Sequence, residues 1–180
     1  MSKVLILMGS PRKKGNTKIL CDEFARGAEE AGHDVETVVI RDLDIGGCLG
    51  CSACQRNGGE CVQKDDMRGV YGKVEEADAI VLGSCIYYYT WTSQMKAVLD
   101  RFYPVTGTLR DKTFYLISAC AAGEEAYTET MLDTFEKFVG CFRAGGNAVG
   151  GHVFGMGTVN PGDVEGSPAM QRAYEMGKSV

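Results

Sequence analysis

The chain has 180 residues, 44% of them hydrophobic and 24% charged, with a net charge of −5. That length is expected to give one domain with a real core, and the apolar fraction excludes a disordered chain. The acidic balance argues against nucleic acid as a partner, and no apolar run approaches the ~20 residues of a membrane helix. Val4 to Met8, ahead of Arg12, Lys13 and Lys14, is too short for a secretory h-region, so a cytoplasmic protein is expected.

Along the chain, strand-like and helix-like segments alternate. Val4 to Met8 is a continuous apolar run ended by Gly9, as a strand buried on both faces would be. Leu20, Phe24, Ala28 and Ala31 fall at helical spacing before Gly32, and Asp34 to Ile40 is a β-branched strand. Asp65-Asp66 is expected to cap a helix reaching about Glu76 by accepting its free first-turn amide protons. Ala79 to Leu82 is a third strand. Met95, Val98, Leu99 and Phe102 then give one apolar helix stripe. Phe114 to Ile117 is a fourth strand, and Met131, Leu132, Phe135, Phe138, Val139 and Phe142 mark a long helix. Val149 to Phe154 reads as a weaker fifth strand, followed by a short helix near 168–176.

Strands alternating with helices imply crossover connections, hence an α/β domain with a parallel sheet covered on both faces. The expected organisation is one domain over 1–180 with a cysteine-rich insertion at about 42–64. Ligands in such folds bind beyond the carboxyl ends of the strands, which selects the loops at 9–17, 84–94 and 118–125.

Gly9-Ser10-Pro11-Arg12-Lys13-Lys14-Gly15-Asn16-Thr17 joins the first strand to the first helix. Free amides at a helix start favour an anion, Ser10, Asn16 and Thr17 add donors, and Arg12 with Lys14 adds charge, so a phosphate suits the place. The spacing is not that of a Walker loop, since five residues separate Gly9 from Gly15 and Asn16 follows in place of lysine. A solvated basic turn is the plainer alternative. The pattern Gly-Ser-Pro-Arg-x-x-Gly-Asn-Thr after an apolar strand resembles the phosphate loop of the flavodoxin-like NADPH-dependent FMN reductase superfamily. The resemblance implies a flavodoxin-like three-layer sandwich whose five-stranded parallel sheet has the order 2-1-3-4-5. It also implies that Ser10, Arg12, Asn16 and Thr17 bind the FMN phosphate.

The second loop, Ser84-Cys85-Ile86-Tyr87-Tyr88-Tyr89-Thr90-Trp91-Thr92, offers the aromatic cover and backbone donors that a flat isoalloxazine needs. It resembles the family's Ser-Pro-Val-Tyr stretch and the Lys…Asp-Arg helix behind it, with Cys85 where proline is usual. Ser84, Cys85, Ile86, Tyr87 and Tyr88 are the candidate flavin contacts. Tyr89 and Trp91 are open to two uses, flavin cover or a subunit interface, and Asp100-Arg101 reads as a structural pair. In the third loop Ser118, Ala119, Cys120 and Gly123 are small enough for close backbone approach to a ring. The resemblance puts them at the flavin's pyrimidine side. A tight strand-to-helix turn would need the same residues.

Eight cysteines stand out. In a reducing compartment they point to metal ligands, redox groups or buried apolar side chains. Cys21, Cys85, Cys120 and Cys141 are scattered as core cysteines are. Cys48-x2-Cys51-x2-Cys54-x6-Cys61 is clustered in a loop of roughly 20 residues, a length that usually signals function. Three cysteines at successive x2 spacings suit corners of a cubane, with Gly46, Gly47, Gly50, Gly58 and Gly59 easing the backbone. Free redox-active thiols and zinc remain alternatives, although zinc knuckles are usually split by a longer spacer. The cluster followed by Asp65-Asp66-Met67 resembles the iron–sulfur flavoprotein branch of the superfamily. That likeness implies a [4Fe–4S] cluster on Cys48, Cys51, Cys54 and Cys61 that exchanges electrons with FMN, and a homodimer or homotetramer.

Only His33 and His152 are present, which excludes a histidine-rich metal site, and no Gly-x-Ser-x-Gly elbow supports a hydrolase. With FMN carrying the chemistry, no side-chain acid or base is required and no catalytic residue is nominated. Two functions follow from the resemblance. One is an FMN-dependent oxidoreductase moving electrons from NAD(P)H or a reduced carrier to quinone, flavin or oxygen. The other is a non-enzymatic carrier relaying electrons between partner proteins.

Overall fold

In a computed structural model covering residues 1–180, the chain alternates strand and helix throughout. The elements are β1 (Lys3–Met8), α1 (Asn16–Glu30), β2 (Asp34–Val39), α2 (Met67–Glu76) and β3 (Ala79–Cys85). They continue with α3 (Ser93–Asp100), β4 (Thr113–Ala119), α4 (Glu129–Gly140), β5 (Ala148–Gly155) and α5 (Pro168–Lys178). The strands form one parallel sheet in the order β2-β1-β3-β4-β5, as the resemblance implied. No helix is long and apolar enough to cross a membrane.

The unbroken apolar run of β1 follows from its central place. Val4, Ile6 and Met8 pack with Leu20 and Phe24 of α1 and Ala173 of α5, while Leu5 and Leu7 face Val70, Val98 and Phe135 of α2, α3 and α4. Each side of the pleat thus has its own core, because successive strand residues point to opposite faces. α1 and α5 press together closely enough that a Cβ on Gly27 or Gly177 would run into the opposing helix backbone.

Several local expectations change. β3 continues through Ser84 and Cys85, which pair in register with Ser118 and Ala119, so these residues end strands and do not belong to loops. Asp66 makes no cap to α2; its carboxylate accepts the Asp44 amide at 2.7 Å, and Asp65 reaches the Met67 amide at 3.3 Å. Trp91, left between flavin cover and an interface, is 6% exposed and packs in the core. Asp100 and Arg101 do not pair: Asp100 takes Lys96 on its own helix, whereas Arg101 takes Asp65. Two consecutive residues of a helix point about 100° apart, so neighbours in sequence rarely share a partner. Of the four scattered cysteines, Cys21 and Cys120 are buried, Cys85 is half-buried and Cys141 is exposed.

Candidate functional site

The loop after β1 is fastened before it can bind anything. The Gly9 amide donates to the Gly83 carbonyl at 2.7 Å, and the Thr92 hydroxyl donates to the Gly9 carbonyl at 2.8 Å. A Cβ on Gly9 would meet Met95 Cβ at 2.8 Å, so the closeness of β1 to α3 needs glycine there. Thr92 also caps α3 through Met95, and Ser84 accepts the Thr92 amide.

α1 starts at a Gly15 cap that has no side chain to accept an amide, and its first turn carries no acidic residue. The Lys18 and Ile19 amides donate to the Gly15 carbonyl, which leaves the Asn16 and Thr17 amides without an acceptor, so an anion placed there would complete the cap. Around this start sit the Ser10 and Thr17 hydroxyls, both fully buried behind the cleft, and the Cys85 thiol, with Cys85 Sγ 3.2 Å from Ser10 Oγ and 3.3 Å from Thr17 Oγ1. Arg12 is exposed and reaches the Val159 carbonyl at 3.0 Å, holding its charge at the rim. The Asn16 carboxamide is otherwise engaged. It donates to the Asn160 carbonyl and accepts the Gly162 and Val164 amides, tying the chain after β5 to the loop.

A cleft of about 220 Å³ opens beside this loop. Arg12, Gly15, Asn16, Cys85, Ile86, Tyr87, Ala119, Cys120, Ala121, Thr158 and Val159 line it. Four separate stretches of sequence therefore converge, at the carboxyl ends of β1, β3, β4 and β5. Other candidates stand apart. Ser84 and Ser118 are fully buried and brace the strand ends, Ser84 by bonds to Cys85 and Thr92 and Ser118 by donating to the Ser84 carbonyl. Tyr88 is 98% exposed, Gly123 faces open space, and Lys14 lines a neighbouring depression with Lys13 and Lys18. Ala121, Thr158 and Val159 were missed. The stretch after β5 obeys the same carboxyl-end rule as the other three loops, and that signal was there to be read. Burial pushes the Cys120 thiol above its ordinary value, which suits a wall and not a nucleophile.

A model of the NADPH-dependent FMN reductase family matches residues 2–158. The chain belongs to this family. It is 33% identical over 178 residues to an iron-sulfur flavoprotein of Archaeoglobus fulgidus, a match covering 99% of this chain and 78% of that one. It is 30% identical over 184 residues to an iron-sulfur flavoprotein of Methanocaldococcus jannaschii, covering 99% and 95%. The solved NAD(P)H:quinone oxidoreductase from Methanothermobacter marburgensis superposes with a TM-score of 0.80 at 20% identity, over 99% of this chain and 95% of that one. At that identity the likeness is one of fold. Family membership makes this chain an NAD(P)H-dependent FMN reductase-like oxidoreductase with FMN as its cofactor. The uncapped start of α1 and the apolar cleft beside it fit a phosphate joined to a flat ring.

The cysteine loop lies between β2 and α2, against the far end of α3. Cys48 and Cys51 are exposed, Cys54 and Cys61 are half-buried, and none is in a disulfide. All four line one cavity together with Leu49, Val62, Arg101, Tyr103 and Pro104. Positive φ at Gly50, Ser52, Gly58 and Gly59 (63°, 52°, 79° and 94°) supplies the chain reversals of this loop. Arg101 anchors the loop. It is 1% exposed and holds Asp65 through both terminal nitrogens at 2.7 and 2.9 Å, with a further bond of 2.9 Å to the Gly46 carbonyl. The Arg101 guanidinium keeps the Asp65 carboxyl below the usual carboxylate range, and Asp65 in turn pushes Arg101 up. No three histidine, cysteine, aspartate or glutamate side chains gather tightly enough for a single metal ion. A cubane instead takes one thiolate at each of four separate corners, so an all-cysteine set around one cavity is chemically suited to it.

Proposed function

We propose that this chain is an FMN-dependent oxidoreductase that takes electrons from NAD(P)H or a reduced carrier and passes them to an acceptor such as quinone, flavin or oxygen. We further propose that Cys48, Cys51, Cys54 and Cys61 hold a [4Fe–4S] cluster. The observation that carries the second part is the shared cavity of the four thiols, in a chain whose similar proteins bear the name iron-sulfur flavoprotein.

FMN, when bound, supplies hydride acceptance and electron release. The chain's residues do the rest. The amides at the start of α1, with Ser10, Thr17 and Arg12, hold the phosphate; Ile86, Tyr87, Ala119 and Cys120 form the walls that exclude water from the ring. Asn16 acts at one remove, keeping Thr158 and Val159 against the cleft. A cluster, when bound, supplies single-electron exchange, and the four thiolates would ligate it at the protein surface.

A carrier relaying electrons between proteins is the second reading, favoured by the exposure of Cys48 and Cys51. A homodimer or homotetramer working in the cytoplasm is consistent with either. Anaerobic purification followed by a visible spectrum, with iron and acid-labile sulfide assays, tests the proposal. Flavin bands with about four irons and four sulfides per chain support it. Flavin without iron removes the cluster, and a colourless protein that does not bind added FMN removes both parts. NAD(P)H oxidation by the holoprotein separates enzyme from carrier.

A further inference from the structure

The buried guanidinium of Arg101 is only partly spent. Asp65 takes the Nη1/Nη2 end, and the Gly46 carbonyl takes a second hydrogen of Nη1. Nε is buried and has no hydrogen-bond partner. A buried N–H without an acceptor is costly, so such groups are rare unless something completes them. Arg101 also lines the cavity of the four cysteines. The Nε/Nη2 edge that Asp65 and Gly46 leave open, with the Tyr71 hydroxyl nearby, therefore belongs to a side chain that borders a space ringed by sulfur ligands.

We infer that Arg101 donates a hydrogen bond from Nε to a sulfur of the iron–sulfur group held by the four cysteines and thereby sets its reduction potential. The inference rests on the cluster reading above and assigns a residue outside the ligand set. Adding one electron to such a group adds one negative charge. A donor fixed against its sulfur stabilises the reduced form, and hydrogen bonds to sulfur are a recognised control of potential. Asp65 holds Arg101 in place and also offsets its charge, so the pair together fixes how much positive potential reaches the cavity. A purely structural clamp would need no donor left over.

The test compares anaerobically purified wild type with Arg101→Lys, Asp65→Asn and the double variant Arg101→Gln/Asp65→Asn. The double variant places neutral, hydrogen-bonding side chains at both positions and leaves no lone buried charge. Iron, sulfide and flavin are counted first, and the cluster potential is then read by EPR-monitored redox titration. Arg101→Lys and the double variant are expected to lower the equilibrium constant for one-electron reduction at least tenfold, a drop of about 59 mV. Asp65→Asn is expected to raise it, because the Arg101 charge is then uncompensated. Opposite shifts at two partners of one ion pair are something a folding defect does not produce. Equal potentials in all four proteins at wild-type iron content would overturn the role of Arg101. A wild type that keeps flavin and holds no iron would overturn the cluster reading itself.

Discussion

The Cys85 thiol lies 3.3 Å from the Thr17 hydroxyl, joining the end of β3 to the start of α1. Ser10 completes the group from the end of β1, 3.2 Å from the same sulfur. Three short polar side chains thus surround an uncapped helix start, where an anion gains both the dipole and the donors.

Thr17→Ala and Arg12→Ala are therefore expected to weaken FMN binding. A hydrogen bond to an ionised group contributes about 1.5–3 kcal/mol, which corresponds to roughly 10- to 100-fold in Kd. Fluorescence titration of the apoprotein measures it. FMN should also shield Cys85 from alkylation, read by peptide mapping. Unchanged affinity in both variants would remove the phosphate site from this loop.

Cys54→Ser is expected to lose iron and sulfide while flavin content stays at the wild-type level. The thiols lie against the Arg101 end of α3, and the FMN loop against its Thr92 end. An eight-residue helix separates the two ends by about 12 Å. Loss of flavin along with the iron would mean that the loop supports the whole fold.

Tyr88 and Tyr89 form the centre of a two-residue turn closed by Tyr87 and Thr90, with φ of 49° and 70°. Asparagine and glycine favour such positions, and a bulky residue there is strained. Tyr89 is steadied by stacking on Tyr127 at 5.8 Å, but Tyr88 is almost wholly exposed. Tyr88→Asn should stabilise the chain by about 1 kcal/mol. If the exposed ring serves the reaction, kcat/KM for NADPH falls in the same variant; a gain in stability with unchanged turnover would show that it does not.

The Asp65 carboxyl titrates below its ordinary value because it accepts from Arg101. A depressed folded pKa contributes stability above the unfolded value of about 3.9 and loses it as pH falls through the folded value. Asp65→Asn should cost about 3 kcal/mol at pH 7, the scale for breaking a buried pair. The gap to wild type should close as the pH falls below about 3.9. Denaturant midpoints at several pH values follow it, and a gap independent of pH would disprove the linkage.

Gly27→Ala is expected to destabilise by about 1–3 kcal/mol, the cost of overpacking. The new Cβ would meet the Tyr174 carbonyl, and backbone cannot swing aside as a side chain can. Unfolding in urea should show a lower midpoint with an unchanged slope. A midpoint equal to wild type would show that α5 can slide on α1.

Local chemistry carried much of this protein. Buried parallel strands declare themselves as short apolar runs, because both faces need cover, and β1, β3 and β4 were legible that way, while the more exposed edge strands β2 and β5 showed only through β-branched residues and a glycine-interrupted run. The phosphate loop and the cysteine spacing were legible for the same reason, since each is a contiguous stretch with its own chemistry. Partner choice was not. Asp65 lies 36 residues from Arg101 and Asn16 lies 144 from Asn160, and nothing in either neighbourhood names the other. Asn16 looked like a phosphate donor until the chain after β5 was seen to occupy its carboxamide. Trp91 looked like a surface aromatic until α3 and the sheet closed over it. A polar side chain bonds to whatever packing brings within about 3 Å, and packing is a property of the whole chain.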